Sequence, residues 1–319
     1  MVNYDTRTTV FSPDGKIFQV EYAMKAVKSA GLCFALKNKD QLILFIENKI
    51  SSKLLDRSHP SLNVCKSSVS SIPEKVSKID QHFYITTAGL ASDANILMDY
   101  LRRLSLDHYS QYDMPIDIGN AVSRVADYKQ HLTQHGSLRP LGASLIYFGV
   151  TNEGDLVLYS SDPSGNFNKY KAVAIGNESM QIMSELDSQL NSYAASSSNA
   201  ALTTNAAGEA VPSVSLEDLT VDEMLLMGMK CIMSTIGAGS NQLPKGKLEA
   251  YCVSKKLKDP TKSAEFDWQN NTDVGMNLVD IKVLTPEEIE EIVNAASTRN
   301  SSTQPSSGTS ASRSAAAST

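Results

Sequence analysis

Apolar residues first recur at helical spacing between Lys16 and Ala30. The turn Ser12-Pro13-Asp14-Gly15 precedes this segment, because proline presets φ and glycine accepts a positive φ. Gly31 follows the segment and stands where a left-handed C-terminal cap is expected. An apolar face this broad predicts a helix that is buried in a packing contact. The face consists of Ile17, Val20, Met24 and Val27, with Phe18 and Tyr22 beside it.

The pattern beyond Gly31 is that of strands. Apolar runs at Leu32 to Leu36 and Gln41 to Glu47 flank Asn38-Lys39-Asp40, which predicts a hairpin. Further short apolar runs, separated by turn residues, predict additional strands. These runs are His82 to Thr87, Gly142 to Thr151, Asp155 to Ser160, Tyr170 to Ile175, Leu248 to Val253 and Leu278 to Val283.

Helical periodicity returns between the groups of strands. Ala91-Ser92-Asp93 offers capping side chains for one helix, and Pro115 suits the first turn of the next. Glu178 to Asn191 and Val221 to Ile236 are predicted helices. Thr285-Pro286-Glu287-Glu288 is a capping box that begins a last helix, which ends near Ala296.

Four stretches are too polar to contribute to a core. We expect a surface loop at Ser51 to Ser71, a disordered or loosely helical insert at Ser192 to Ser215, a long polar loop at Lys255 to Asp273 and a flexible tail from Ser297. Clustered strands with paired helices between them predict an α+β fold, in which stacked antiparallel sheets are covered by helices on both faces.

Bulk composition narrows the class of protein. The chain has 319 residues, 41% of them hydrophobic, which allows a sizeable core. A net charge of −6 gives no reason to expect nucleic-acid binding. Neither a membrane-spanning run nor a signal-peptide core is visible in the sequence. The four cysteines, Cys33, Cys65, Cys231 and Cys252, are widely spaced, which favours reduced, mostly buried thiols in an intracellular protein.

Candidate chemistry is sparse. His131 and His135 are four residues apart, so they can share a helix face and bind a metal. Because no third ligand accompanies them, we favour a solvated or capping pair and predict no metal site. Glycine-rich phosphate loops are absent, since Gly237 and Gly239 are followed by no G-K-S/T.

The amino-terminal segment closely resembles the signature of proteasome α-type subunits. The matching residues are Tyr4-Asp5, Arg7, Phe11-Ser12-Pro13, Gly15 and Gln19-Val20-Glu21-Tyr22-Ala23. Other pieces are most like the type-4 branch of that family: Lys53-Leu54-Leu55-Asp56, Ser92-Asp93-Ala94-Asn95, Tyr128 to Gly142 and Ser161 to Asn166.

The resemblance implies a fold and a division of the chain. It implies the four-layer αββα sandwich of amino-terminal-nucleophile hydrolases. It assigns residues 1–15 to a gate segment and residues 16–296 to the α-type domain. Relative to the family we expect inserts at about residues 58–70, 192–215 and 258–273, and a disordered Ser/Ala-rich tail at residues 297–319.

The resemblance also implies a role in a seven-membered α ring. Tyr4, Asp5, Pro13 and Tyr22 match the family's gate cluster between neighbouring subunits. Pro73-Glu74-Lys75-Val76 is similar to the motif whose lysine pairs with the carboxyl terminus of an activator tail. Gly31 and Gly89 match glycines of the same pocket. The implied partners are neighbouring α subunits, β-ring subunits, and the tails of regulatory ATPases and other activators, in cytoplasm and nucleus and without a cofactor.

Catalysis in this fold requires a freed terminal Thr, Ser or Cys, because the terminal amine serves as the base. The resemblance places Gly31 at the position of the nucleophile in β-type subunits and Glu47 near their acidic residue. It places the catalytic lysine within Ser51 to Ser71, where Lys53 and Lys66 are the available lysines. We therefore predict a non-catalytic subunit. The alternatives are an active threonine hydrolase and a free-standing α-like binding protein.

Overall fold

A computed structural model of the chain describes residues 10–47, 75–135, 138–196, 201–204, 210–213, 216–236, 248–255, 279–285 and 287–293. Several predictions fall outside these residues. They concern Tyr4, Asp5 and Cys65, the whole 51–71 loop, most of the 255–273 loop and the tail. Within them, two five-stranded sheets are present, and every strand pair is antiparallel.

The first sheet is built around the predicted amino-terminal hairpin. Its strands lie in the order β12-β11-β2-β1-β8. The hairpin pairs Phe34 with Phe45 and Leu36 with Ile43, as its short turn requires. The strands are β1 (Cys33–Lys37), β2 (Gln41–Glu47), β8 (Ala172–Ile175), β11 (Leu248–Lys255) and β12 (Val279–Val283).

The second sheet is a meander in the order β3-β4-β5-β6-β7. Its central strand, β5, is buried along its whole length. The strands are β3 (Val76–Asp80), β4 (Phe83–Gly89), β5 (Ala143–Val150), β6 (Leu156–Ser161) and β7 (Phe167–Lys169).

The helices cover the outer faces of the two sheets, and one helix precedes the first strand. Residues 287–293 are also helical, and Thr285 and Glu288 form the predicted capping box. The helices are α1 (Phe18–Lys28), α2 (Ala91–Tyr112), α3 (Ile118–Gln134), α4 (Ser179–Ser196) and α5 (Val221–Ile236).

Three apolar clusters separate the four layers. One lies between the sheets, where Leu44 of β2 and Phe148 of β5 share a cluster. A second joins the outer face of the first sheet to α4 and α5. A third joins the outer face of the second sheet to α2 and α3. Because both faces of each sheet are covered, the inner strands β1, β2 and β5 are nearly continuous apolar runs. The predicted αββα sandwich is confirmed.

Several local predictions were wrong. The edge strands β3 and β7 were not predicted, because neither has a buried residue. Pro115 precedes α3 instead of starting it, and Asp117 is the N-cap, accepting a hydrogen bond from the amide of Asn120. In the 192–215 stretch, α4 continues to Ser196, and Ala201–Thr204 (β9) pairs with Ala210–Ser213 (β10).

Candidate functional site

The turn before α1 is closed by its own backbone and by one hydroxyl. The amide of Ser12 donates to the Lys16 carbonyl at 2.8 Å, and the Lys16 amide donates to Ser12 Oγ at 3.1 Å. Gly15 has a φ of +73°, in the left-handed region that glycine favours. Pro13 is exposed at the corner of this turn. The chain therefore enters α1 from a rigid, surface-exposed bend.

Helix α1 buries only a narrow part of its surface. Ala23 and Val27 are buried, whereas Tyr22 is 48% exposed and Phe11, just before the turn, is 65% exposed. The rings of Phe18 and Tyr22 stack with centroids 6.3 Å apart. Of the predicted gate residues, Pro13 and Tyr22 are therefore on the surface, and Tyr4 and Asp5 lie outside the described residues.

The end of α1 differs from the predicted left-handed cap. Ser29 is the C-cap in a right-handed conformation, and its amide donates to the Lys25 carbonyl. Gly31 does not have a positive φ. A side chain at Gly31 is excluded for a different reason: a Cβ there would lie 2.6 Å from Lys75 Nζ and 2.8 Å from the Glu47 carbonyl oxygen. The glycine allows a close approach of three chain segments.

Lys75, Glu47 and Gly31 form the candidate site. Lys75 Nζ donates to the carbonyl oxygen of Glu47 at 2.5 Å. The Glu47 carboxylate accepts from the amide of Leu32 at 3.0 Å. Lys75 immediately precedes β3, Glu47 ends β2, and Gly31 lies between α1 and β1. The structure thus brings together two of the three predicted pocket residues.

The loop between β8 and α4 closes the other side of Gly31. The amide of Asn177 donates to the Ala30 carbonyl at 3.0 Å. A Cβ on Gly176, whose φ is +95°, would lie 2.6 Å from the carbonyl oxygen of Gly31. The backbone around Gly31 is therefore held from two directions.

Gly89, the third predicted pocket residue, ends β4. Its φ is +126°, and a Cβ there would lie 2.1 Å from the Gly142 carbonyl oxygen. The same oxygen accepts from the amide of Leu90 at 2.9 Å. The close crossing with Gly142 is a structural reason for this glycine, and its place in the pocket stays a prediction.

Cys33, two residues after Gly31, carries a nucleophile-type side chain, and it is fully buried. Thr86 Oγ1 lies 3.7 Å from its Sγ, and the Thr87 carbonyl oxygen lies 3.6 Å from it. Burial raises the pKa of the Cys33 thiol, and the opposing effect of the Lys75 charge is smaller. The thiol is therefore protonated at neutral pH, and only the thiolate is a nucleophile.

The prediction that places the counterpart of the catalytic lysine within Ser51 to Ser71 falls outside the described residues, as do Lys53 and Lys66. The lysine that contacts Glu47 beside Gly31 is Lys75. Recognising β3 would have placed Lys75 at the start of a strand, but its contact with Glu47 is visible only in the folded structure.

His131 and His135 behave as a capping pair at the end of α3. Their rings stack with centroids 3.7 Å apart, and His135 Nδ1 donates to the His131 carbonyl at 2.8 Å. In the described part of the chain, no group of three or more His, Cys, Asp or Glu side chains is arranged to hold a metal. No helix among the described residues is long and apolar enough to span a bilayer.

Comparison with known proteins gives consistent matches. A family model described as "Proteasome subunit" matches residues 27–211, and a second model, for the N-terminal signature of A-type proteasome subunits, matches residues 4–26. The chain is 45% identical over 179 residues to "Proteasome subunit alpha type-4" of Dictyostelium discoideum, covering 56% of this chain and 67% of that protein. It is 35% identical over 259 residues to the protein of the same name in Drosophila melanogaster, covering 81% and 91%. It is also 35% identical over 255 residues to "Proteasome subunit alpha" of Metallosphaera sedula, covering 80% and 90%.

Proposed function

Because this chain belongs to the proteasome subunit family and carries its α-type amino-terminal signature, we propose that it is a non-catalytic subunit of the α ring of the core particle. In this role it packs against neighbouring α subunits and β-ring subunits, and it contributes to the gate and to activator docking. The particle acts in cytoplasm and nucleus, and peptide hydrolysis takes place on the β subunits. The observation that carries this proposal is that Gly31, which has no nucleophilic side chain, occupies the position beside Lys75 and Glu47.

The absence of a nucleophile at Gly31 supports a non-catalytic role. Gly31 has no side-chain oxygen or sulfur, although Lys75 lies where it would assist one. The chain continues upstream into α1, so Gly31 is not a free terminus in the full chain. The buried Cys33 thiol, whose pKa is raised, cannot replace the missing group.

A gating and ring-packing role for the amino-terminal segment rests on its exposed surface. Pro13 lies at the corner of a rigid turn, and the exposed ring of Tyr22 lies on the open face of α1. A phenol and a fixed bend are suited to a contact with a neighbouring subunit, where aromatic side chains contribute strongly. Tyr4 and Asp5 complete this cluster in the proposal.

An activator-docking role rests on the chemistry of Lys75. Its half-buried ammonium donates one hydrogen bond to Glu47, and an ammonium has three donors. A carboxyl terminus is a suitable partner for the other donors. Gly31 lets the Lys75 ammonium lie against its backbone, where a Cβ would displace it, and Gly89 contributes to the same pocket in the proposal. The expected ligands are the carboxyl-terminal tails of regulatory ATPases and other activators.

A charge reversal in assembled core particles tests the docking proposal. We expect Lys75→Glu to reduce activator-stimulated peptide hydrolysis, because the tail carboxylate would then meet a negative charge. Lys78→Glu, on the neighbouring β3, makes the same change in net charge and serves as the control. Stimulation that is equal in both variants and in the wild type would show that Lys75 does not receive the tail.

Two measurements separate this proposal from its alternatives. An active threonine hydrolase requires processing to a new terminus, so an intact-mass measurement of the full chain from purified particles argues against it. A free-standing binding protein would sediment as a monomer in cell extract. Co-migration of the chain with peptidase activity supports the α-ring assignment instead.

A further inference from the structure

Glu47 contacts the candidate pocket through both its backbone and its side chain. Its carbonyl oxygen accepts from Lys75 Nζ at 2.5 Å, and its carboxylate accepts from the Leu32 amide at 3.0 Å. A second backbone bond joins the Glu47 amide to the Leu32 carbonyl at 2.8 Å. On the other side, Glu47 pairs with Leu248 of β11. The residue is therefore held on both edges of its strand and is well suited to position Lys75.

The charges of Glu47 and Lys75 act on the same small region. Both charges act on the buried thiol of Cys33: the positive charge of Lys75 lowers the pKa of this thiol, and the negative charge of Glu47 raises it. An incoming carboxylate is attracted by the Lys75 ammonium and repelled by the nearby Glu47 carboxylate. The net attraction of the pocket for an anion is therefore weaker than that of Lys75 alone.

We propose that Glu47 is a positioning residue that holds Lys75 in place and, through its charge, limits the affinity of the pocket for a peptide carboxyl terminus. The inference rests on the proposed function, in which Lys75 receives that carboxylate. Its consequence is reversible docking, because a weaker electrostatic attraction shortens the residence time of a bound tail.

The variant Glu47→Gln separates the charge from the geometry. The glutamine amide oxygen can accept from the Leu32 amide, and the backbone carbonyl that binds Lys75 is unchanged. The negative charge is removed, while the length of the side chain and one acceptor oxygen are kept. The variant Glu47→Ala also removes the acceptor for Leu32, so it loosens the backbone next to Gly31.

The test uses assembled core particles and a photo-crosslinking peptide with the last eight residues of a regulatory ATPase subunit. The peptide is prepared as the free acid and as the carboxyl-terminal amide, and labelling of this chain is followed by mass spectrometry. We expect Glu47→Gln to lower the half-saturating concentration of the free acid at least three-fold and to leave that of the amide unchanged. Glu47→Ala should raise the half-saturating concentrations of both peptides. Glu153→Gln, an exposed change in the turn after β5, is the charge-matched control.

The outcomes distinguish the inference from the proposed function. Unchanged or weaker labelling by the free acid in Glu47→Gln would overturn the role of the Glu47 charge. An equal decrease in the half-saturating concentrations of the acid and the amide would also overturn it, because an effect of packing does not depend on a terminal charge. Lys75→Ala tests the proposed function separately. If the free acid and the amide label this variant as they label the wild type, the pocket does not recognise the terminal carboxylate.

Discussion

Arg139 binds the carboxylate of Asp93 through two parallel hydrogen bonds, from Nη1 to Oδ2 at 2.7 Å and from Nη2 to Oδ1 at 2.8 Å. The amide of Gly142 donates to the same carboxylate at 2.9 Å. Asp93 lies in the first turn of α2 and is buried, so these contacts tie the helix to the chain segment that enters β5. The sequence suggested that Ala91-Ser92-Asp93 caps the helix, but the N-cap is Leu90 and makes no side-chain cap.

Removing the guanidinium should destabilise the fold. We expect Arg139→Gln to lower the free energy of unfolding by about 1–3 kcal/mol, because a buried carboxylate loses its cation. The Arg139 hydrogen bonds also lower the pKa of Asp93, so this stabilisation is present above the ordinary pKa of an aspartate and is lost as the pH falls through the lowered value. Urea unfolding of the full chain at pH 7 and at acidic pH measures both effects. Arg103→Gln, an exposed change on α2, should have little effect at either pH.

Lys129 should make stability rise with pH above neutrality. Its buried Nζ donates to Ser161 Oγ at 2.8 Å and to the carbonyls of Ala143 and Asp162, and burial lowers its pKa to about 7. Between pH 7 and the ordinary lysine pKa, the unfolded chain binds more protons than the folded chain, so unfolding becomes less favourable as pH rises. Below pH 7 both states are charged, and the full cost of burying the ammonium remains.

The variant Lys129→Met removes this titration. The slope of unfolding free energy against pH between 8 and 10 should be smaller than in the wild type, by up to about 1.4 kcal/mol per pH unit. Urea unfolding across this range measures the slope. Lys25→Met, at an exposed position of α1, should keep the wild-type slope. Parallel curves for the wild type and Lys129→Met would show that Lys129 keeps its proton in the folded state.

Two glycines with positive φ should respond differently to alanine. Gly154 has a φ of +88° and no atom within 4 Å of an added Cβ. Gly154→Ala should therefore lower the free energy of unfolding only through backbone strain, by about 1 kcal/mol. Gly89→Ala adds a clash with the Gly142 carbonyl oxygen and should cost at least about 2 kcal/mol more. Thermal unfolding of the two variants measures the difference. Equal losses would mean that the chain relaxes around Gly89 without cost.

Local signals explain which elements were predictable from the sequence. Val221 to Ile236 was predicted with both ends correct, because a sustained apolar period and a polar start mark α5. The Thr285 capping box was also found from sequence, because its four residues are contiguous. Edge strand β3 was missed since its five half-buried residues show no apolar run.

The candidate site depended on contacts that no local pattern contains. Gly31 appeared to be a helix cap, yet its requirement for glycine comes from Lys75 and Glu47, which are distant in sequence. Asp93 appeared to be a capping residue, but it binds Arg139, 46 residues away. Contacts between residues that are distant in sequence decide both roles, and such contacts are visible only in the folded structure.

The exposed ring of Tyr22 should matter more for assembly than for folding. At 48% exposure it buries only about half of its surface in the isolated chain, so Tyr22→Ala should lower the free energy of unfolding by only about 1–2 kcal/mol. Tyr84, 1% exposed between the sheets, is the matched control, and Tyr84→Ala should cost about 3–5 kcal/mol. In cells that produce the other subunits, we expect Tyr22→Ala to reduce the share of this chain that enters core particles several-fold. Native gels with intact-mass analysis measure that share. Normal incorporation together with normal stability would show that the exposed face of α1 contacts no neighbouring subunit through Tyr22.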